Sequence, residues 1–414
     1  MGRKYYWLAV VASLLGSIGA AADVSWHFSR LFDEFSPPHD IATVGFLLNI
    51  GLLYWALWRH RTLVKGAERL GLLINATGVA IYLIAIPLDL TWHLIFGIDI
   101  TTWSPTHLML FYSAVIGQVG MIVAWLASRD RGSSGAWAIT LSLCALLLSQ
   151  VLFPLYQQEY AAVALVSLQQ TGLAPWYVAP DMWALAGRQA EKVARGGLPD
   201  GLYITYQALL AAAVFTLAAI LVRASVRWTD ERRGRGVNWW SGAGAATGLA
   251  AVYLLFRVIM RGIFLLVGMP RAVVPLWLLP LAIAVDAAML LAVVMPELRV
   301  PSWLPFPHGT LERTKQEVIF AALGGFLGAA ALYGTLAGLD LSGVTVADTP
   351  AGAAIVALFT GALGGACGTL LATRIVRVVG LSPEEMAPLP LSGAANRLRE
   401  WGQAAMAQWG ARRR

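Results

Sequence analysis

Leu70-Gly-Leu-Leu-Ile-Asn75-Ala-Thr-Gly-Val-Ala80-Ile-Tyr-Leu-Ile-Ala85-Ile-Pro-Leu88 runs for nineteen residues without a charge and then turns abruptly polar: Asp89-Leu-Thr-Trp92-His93. A stretch of that length and composition is what a helix needs to cross a bilayer core of about 30 Å. Similar runs recur from one end of the chain to the other. They predict an all-α, polytopic integral membrane protein of about ten transmembrane helices. The expected spans are Tyr5–Ala22, Ile41–Trp58, Leu70–Leu88, Pro105–Ser128, Ala136–Tyr156, Leu202–Val222, Gly242–Val267, Val273–Val294, Val318–Leu339 and Ala351–Ala372. The composition agrees: 58% of residues are hydrophobic and only 13% charged. That charged share is about half the soluble norm.

The polar ending of the third span has a counterpart after the first. Asp23-Val-Ser-Trp26-His27, then Asp33 and Phe35-Ser36-Pro37-Pro38-His39, parallels Asp89-Leu-Thr-Trp92-His93, then Asp99 and Trp103-Ser104-Pro105-Thr106-His107. The copies start 66 residues apart, the second loop is longer by two, and together they hold four of the six histidines. Residues 1–132 therefore read as a tandem repeat of two-helix hairpins, divided at 66/67. A repeat with an even number of crossings keeps its orientation, so both signatures are expected on one face of the membrane. The repeat also argues that the first helix is retained. Arg3-Lys4, an apolar stretch and Ala20-Ala21-Ala22 resemble a cleaved signal peptide, but the third helix precedes Asp89 in the same way, inside the chain.

The net charge of +7 reflects membrane topology rather than affinity for nucleic acid. Arg59, Arg61, Lys65 and Arg69 fill the second connection, Arg129 and Arg131 the fourth, and Arg223, Arg227, Arg232, Arg233 and Arg235 the sixth. The alternate connections hold one Arg in 23–40 and none in 89–104 or 340–350. By the positive-inside rule both termini are cytoplasmic and both signatures extracytoplasmic. Beyond the repeat, residues 133–238 read as two helices with a long outer loop at 157–200. Residues 239–374 read as a Gly/Ala-rich four-helix region, and 375–414 as a basic cytoplasmic tail on the lipid surface. The close-spaced Gly324, Gly325, Gly328, Gly361, Gly364, Gly365 and Gly368 are expected to serve tight helix packing. Cys144 and Cys367 lie in apolar runs and carry no motif.

Asp and His at i and i+4 share a helix face, and Ser-Pro is a strong helix start, with His two residues after the Pro of the second copy. Each hairpin thus aims one carboxylate and two imidazoles at a common point. The expected metal ligands are Asp23, His27, His39, Asp89, His93 and His107, forming one dinuclear or two separate sites. Asp33 and Asp99 are expected to orient ligand histidines, and Trp26 and Trp92 to wall the site. Deeper in the membrane, Arg257, Arg261 and Asp286 are expected to form an ion pair or hold an anion.

The ligand spacing resembles that of the membrane C subunit of the copper membrane monooxygenases, the particulate methane and ammonia monooxygenases, which bind copper through Asp-x3-His-x12-His. Here Asp23-x3-His27-x11-His39 and Asp89-x3-His93-x13-His107 straddle that pattern. The likeness covers two segments of about twenty residues. It implies copper, molecular oxygen and oxidation of a small apolar substrate. Read from the site itself, iron or zinc is the next choice of metal, and an oxidoreductase acting on a lipid-soluble substrate, with an electron donor or further membrane subunits, fits its place at the membrane surface. Two other classes use the same residues: a divalent-cation or proton-coupled transporter with helices seven to ten as its pathway, and a bis-His haem protein.

Overall fold

The computed structural model describes residues 1–27, 36–96, 104–155, 200–234, 243–267, 274–294, 313–339 and 351–380. Among these residues there are ten long helices and no strand. They are α1 (Arg3–His27), α2 (Pro37–Tyr54), α3 (Gly66–Phe96), α4 (Pro105–Ala127), α5 (Ala136–Phe153), α6 (Asp200–Arg232), α7 (Ala245–Leu266), α8 (Leu278–Val294), α9 (Arg313–Leu339) and α10 (Ala351–Gly380). Nine are long and apolar enough to cross a membrane, and α8 is a shorter apolar helix. The chain is an all-α polytopic membrane protein. Leucine, isoleucine and valine stand exposed along the outer faces of α1, α2, α3 and α7, as expected where the solvent is lipid rather than water.

Most helices overrun their apolar cores. α3 starts four residues before Leu70 and ends eight after Leu88, and α6 continues ten residues past Val222. The reason is that an apolar run marks only the hydrocarbon-embedded turns, while backbone hydrogen bonding continues into the polar interface. α2 ends in a π-helical turn, Trp55–Arg59, closed by the His60 N–H bonding to Trp55 O at 3.0 Å. α8 begins five residues later than expected, at Leu278.

Small residues set the packing. A Cβ at Gly19 would overlap the backbone of Ala42, and one at Gly45 the backbone of Gly16 and Ala12, so α1 and α2 meet at contact distance. Gly71 and Gly120 press α3 against α4 near Ala124 and Asn75, and Gly78 presses on Ser113 and Gly117. Gly325 and Gly365 do the same between α9 and α10, and Gly364 and Gly368 between α10 and α6 at Leu209 and Ala213. These are the tight interfaces expected of the glycines of α9 and α10, and they allow the dispersion contacts that drive helix association in lipid. One continuous apolar core runs from Tyr6 and Trp125 through Leu143 and Phe215 to Leu281 and Ala329.

Two polar ties fix the bundle's Arg-rich end. The Arg131 guanidinium donates to Leu126 O at 3.3 Å and to Val379 O at 2.8 Å, and lies 4.6 Å over the Trp228 ring, joining α4, α10 and α6. Burial holds its pKa below the usual arginine value. Trp125 Nε1 donates to Thr140, whose hydroxyl lies 2.8 Å from that of Ser225.

Asp286 of α8 bonds to the start of α7. Its oxygens accept from the Ala246 and Thr247 backbone N–H groups at 3.1 and 2.7 Å, and from the Thr247 hydroxyl at 2.7 Å. It therefore caps the first turn of α7, where the helix dipole favours an anion. Arg257 is buried about 15 Å further along the axis, and Arg261 is half-buried a turn beyond it. Asp286 thus lies at the start of α7, and the two arginines lie further along it. Asp286→Ala is expected to cost about 1–2 kcal/mol, as cap removal does, and thermal unfolding in detergent measures the loss.

Candidate metal centre

The second signature is assembled by α3 and α4. Asp89 and His93 lie one turn apart near the end of α3, and the His93 Nε2 is 3.5 Å from Asp89 Oδ2. Ser104 stands at the start of α4 with extended backbone, Pro105 takes the first helical position, and His107 falls in the first turn. Its Nε2 lies 3.5 Å from Asp89 Oδ1. The two imidazole centroids are 5.3 Å apart. One ligand atom from each of Asp89, His93 and His107 can be chosen so that all lie within 4.8 Å of one another. Among the described residues this is the one group of three or more His, Cys, Asp or Glu with that property.

The distances speak to chemistry. At 3.5 Å an N···O pair is a weak hydrogen bond at best. Two ligands bound at 2.0–2.2 Å in tetrahedral geometry are separated by about 3.4 Å. The Asp89–His93 and Asp89–His107 separations therefore suit a shared ion better than direct bonds. Two further atoms agree. Asp89 Oδ1 and Ser104 Oγ are both buried without a hydrogen bond, although a Ser in Ser104's position ordinarily caps its helix. Buried polar atoms are rarely left so.

The first signature is built differently. Ser36 caps α2, its Oγ accepting from the His39 N–H at 3.3 Å. The same hydroxyl donates to Asp23 Oδ1 at 3.1 Å and lies 3.2 Å from His39 Nδ1, while His39 Nε2 is 3.2 Å from Asp23 Oδ2. Both ring nitrogens of His39 are thus engaged with partners inside its own hairpin. His27 ends α1, and its side chain is outside the described residues, as are Asp33 and Asp99. The six expected ligands accordingly divide: Asp89, His93 and His107 converge, Asp23 and His39 pair through Ser36, and the His27 ring is not described. Tyr82 of α3 lies within electrostatic reach of both Asp23 and Asp89, so the two groups share one end of the bundle.

Trp92 packs on Phe96 at 4.4 Å, and Trp26 is half-buried on α1. The wall below His107 comes from residues that the sequence motif does not contain. Phe111 sits one turn on at 6.3 Å, stacks on Phe153 at 5.0 Å, and joins Ala21, Ala22, Met260 and Phe264 in a separate apolar cluster. The i, i+4 step from His107 to Phe111 is the signal that locates it. This floor shields the triad from the membrane interior, where its side chains are only 12–21% exposed.

No protein family matches the chain, and no curated protein or solved structure matches it either. The function is therefore argued from the site alone.

Proposed function

We propose that the chain is an integral membrane metalloprotein whose Asp89, His93 and His107 bind one transition-metal ion. The observation that carries this is the triad's spacing together with Asp89 Oδ1, buried without a hydrogen bond and 3.5 Å from His107 Nε2. Two imidazoles and a carboxylate leave coordination positions open for a substrate or water. Copper is the first choice, on a spacing, Asp89-x3-His93-x13-His107, that resembles the Asp-x3-His-x12-His of the copper membrane monooxygenases; iron or zinc is second, since two His and one carboxylate suit either. The activity we assign is oxidation of a lipid-soluble or small apolar substrate, with electrons from a separate donor or membrane subunit. The bound ion would supply the redox chemistry. The chain's own residues would hold and orient it, and the Phe111–Phe153 floor separates it from the membrane interior.

The alternation of basic connections supports an extracytoplasmic site with both termini in the cytoplasm. A shared crossing point supports the duplicated hairpin: Ala12 meets Gly45 in the first, and Gly78 meets Ser113 in the second, displaced by 66 and 68 positions. A haem held between His39 and His93 or His107 is disfavoured, because both ring nitrogens of His39 are engaged with Ser36 and Asp23.

The test is metal analysis and an optical spectrum of purified protein from cells supplied with copper, iron and zinc. About one copper or iron per chain without a Soret band is the expected result. A Soret band selects haem, and a metal-free protein that takes up none of the three ions refutes the reading.

A further inference from the structure

Several cations at the Arg-rich end of the bundle are spent on the protein itself. Arg3 Nη1 donates to Ser134 O at 3.0 Å, Arg232 Nη1 to Arg129 O at 3.3 Å, and Arg227 pairs with Glu231 at 2.7 Å. Arg131 holds two carbonyls and the Trp228 ring. The connection between α2 and α3 is different. Trp58-Arg59-His60-Arg61-Thr62-Leu63-Val64-Lys65-Gly66-Ala67-Glu68-Arg69 carries four cations and one carboxylate. Arg59, Arg61, Lys65 and Arg69 are all exposed, and their side chains make no hydrogen bond or ion pair with a described residue.

The turn holds these charges in place. The His60 carbonyl accepts from the Leu63 and Val64 N–H groups at 2.9 and 3.3 Å, the Val64 side chain is buried, and the Arg69 N–H bonds back to Lys65 O at 3.3 Å. The local carboxylate does not neutralise them at the surface. Glu68 is buried, accepts from the Tyr6 hydroxyl at 2.7 Å and pairs with the Met1 amino group. Four like charges on a short turn repel one another unless a counter-charge joins them. Apolar groups flank the cluster: Trp58 and Leu63 are each 68% exposed, and Trp58 stacks on Tyr54 at 6.4 Å. A tryptophan beside a basic cluster at the end of a membrane helix suits the headgroup layer, with the ring at headgroup level and the cations against phosphate. Arg59 and Arg61 end the first hairpin, and Lys65 and Arg69 open the second.

We propose that the α2–α3 turn is a binding site for an anionic phospholipid. Its phosphate lies between the Arg59–Arg61 and Lys65–Arg69 pairs, and Trp58 and Leu63 rest on its glycerol and upper acyl chains. Guanidinium forks match phosphate oxygens bidentately. A zwitterionic headgroup offers the same phosphate together with an ammonium group, which four cations repel. The lipid is therefore one of net negative charge, such as phosphatidylglycerol. Because the two cation pairs belong to different hairpins, the headgroup ties the first repeat unit to the second at their connection. It adds to the contacts of Asn49 with Asn75 at 3.2 Å and of Phe46 with Tyr82 at 4.8 Å, which join α2 and α3 deeper in the membrane. The site shares no residue with the Asp89–His93–His107 group and does not depend on a metal there.

The experiment titrates the purified full chain in detergent with dioleoyl phosphatidylglycerol or dioleoyl phosphatidylcholine and counts bound lipid by native mass spectrometry. Phosphatidylglycerol is expected to bind about tenfold tighter or more, the modest end of what four cations near a surface supply. A large excess of inorganic phosphate should not displace it, because phosphate lacks the acyl chains that Trp58 and Leu63 receive. Two double variants test the cations, Arg59→Gln with Arg61→Gln and Lys65→Gln with Arg69→Gln. Each leaves two basic residues in the connection, so the topology signal is kept. Each should lower the preference for phosphatidylglycerol about threefold or more. Arg227→Gln, which removes a cation already paired with Glu231, should leave it unchanged. Circular dichroism and gel filtration establish that each variant is folded, and if one double variant fails to fold the other decides. Equal binding of the two lipids, displacement by inorganic phosphate, or an undiminished preference in either folded double variant overturns the proposal.

Discussion

Replacing His107 by alanine is expected to lower metal affinity by at least a hundredfold and to leave the purified protein with little bound ion. With three protein ligands, removing one leaves two and lets water into the gap. Even outer partners of ligands change affinity by about 10–100-fold, and a direct ligand does more. Asp89→Ala should match it, since Asp89 faces both histidines at 3.5 Å. His39→Ala should retain most of the metal, because His39 is engaged with Ser36 and Asp23 in the other hairpin. His60→Ala should retain all of it, since that ring packs edge-on against Trp55, 5.0 Å away, at the end of α2. The loss is also readable as stability. At a metal concentration 100 times the dissociation constant the ion contributes about 2.7 kcal/mol, and this increment should vanish in His107→Ala and Asp89→Ala. Acidification should release the ion from the wild type, because ligand imidazoles and carboxylates bind metal only when deprotonated. Equal metal content in His107→Ala and wild type would exclude the triad.

Gly78→Leu is expected to disable the same site from several turns away. The new side chain has no room, since even its Cβ would overlap Gly117 and the Ser113 carbonyl on α4. Overpacking of this kind costs about 1–3 kcal/mol and sometimes more. The consequence for the site is geometric. Asp89 and His93 belong to α3 and His107 to α4, so driving the helices apart by about 1 Å carries His107 out of ligand range. Metal content should fall together with thermal stability. Gly248→Ala on α7, where an added Cβ meets nothing within 4 Å, is the control and should leave both unchanged. Wild-type metal binding by a folded Gly78→Leu protein would show that the hairpin interface does not position the triad.

The helices are legible in the sequence because bilayer-length apolar runs have few other uses, and Leu70–Leu88 already states the architecture. Their true ends are not legible in the same way, since Gly66–Leu70 and Asp89–Phe96 are held by backbone hydrogen bonds that hydropathy does not register. Half of the site follows from local rules. The i, i+4 pair Asp89 and His93 and the Ser104-Pro105 helix start need only one hairpin to bring them together. What distinguishes the two signatures is tertiary. Ser36 and Ser104 read alike, yet the hydroxyl of the first bonds Asp23 and that of the second makes no hydrogen bond. The capping contacts of Asp286 are not legible for a related reason: its partners include backbone groups of another helix, which carry no sequence signature.

The Arg131 tie and the α6–α10 interface bear on how the protein is made. Arg131 reaches a carbonyl 248 residues later in the chain, and Thr360 bonds the Thr205 carbonyl 155 residues before it. When α6 leaves the ribosome, the groove at Leu209 and Ala213 that will receive Gly364 and Gly368 has no occupant. Until α10 is synthesised, lipid or an insertion chaperone must cover that groove, and Arg131 lacks its most distant acceptor. Completion of the bundle thus waits on its last described helix, because α10 supplies both the occupant of the α6 groove and the far acceptor of Arg131.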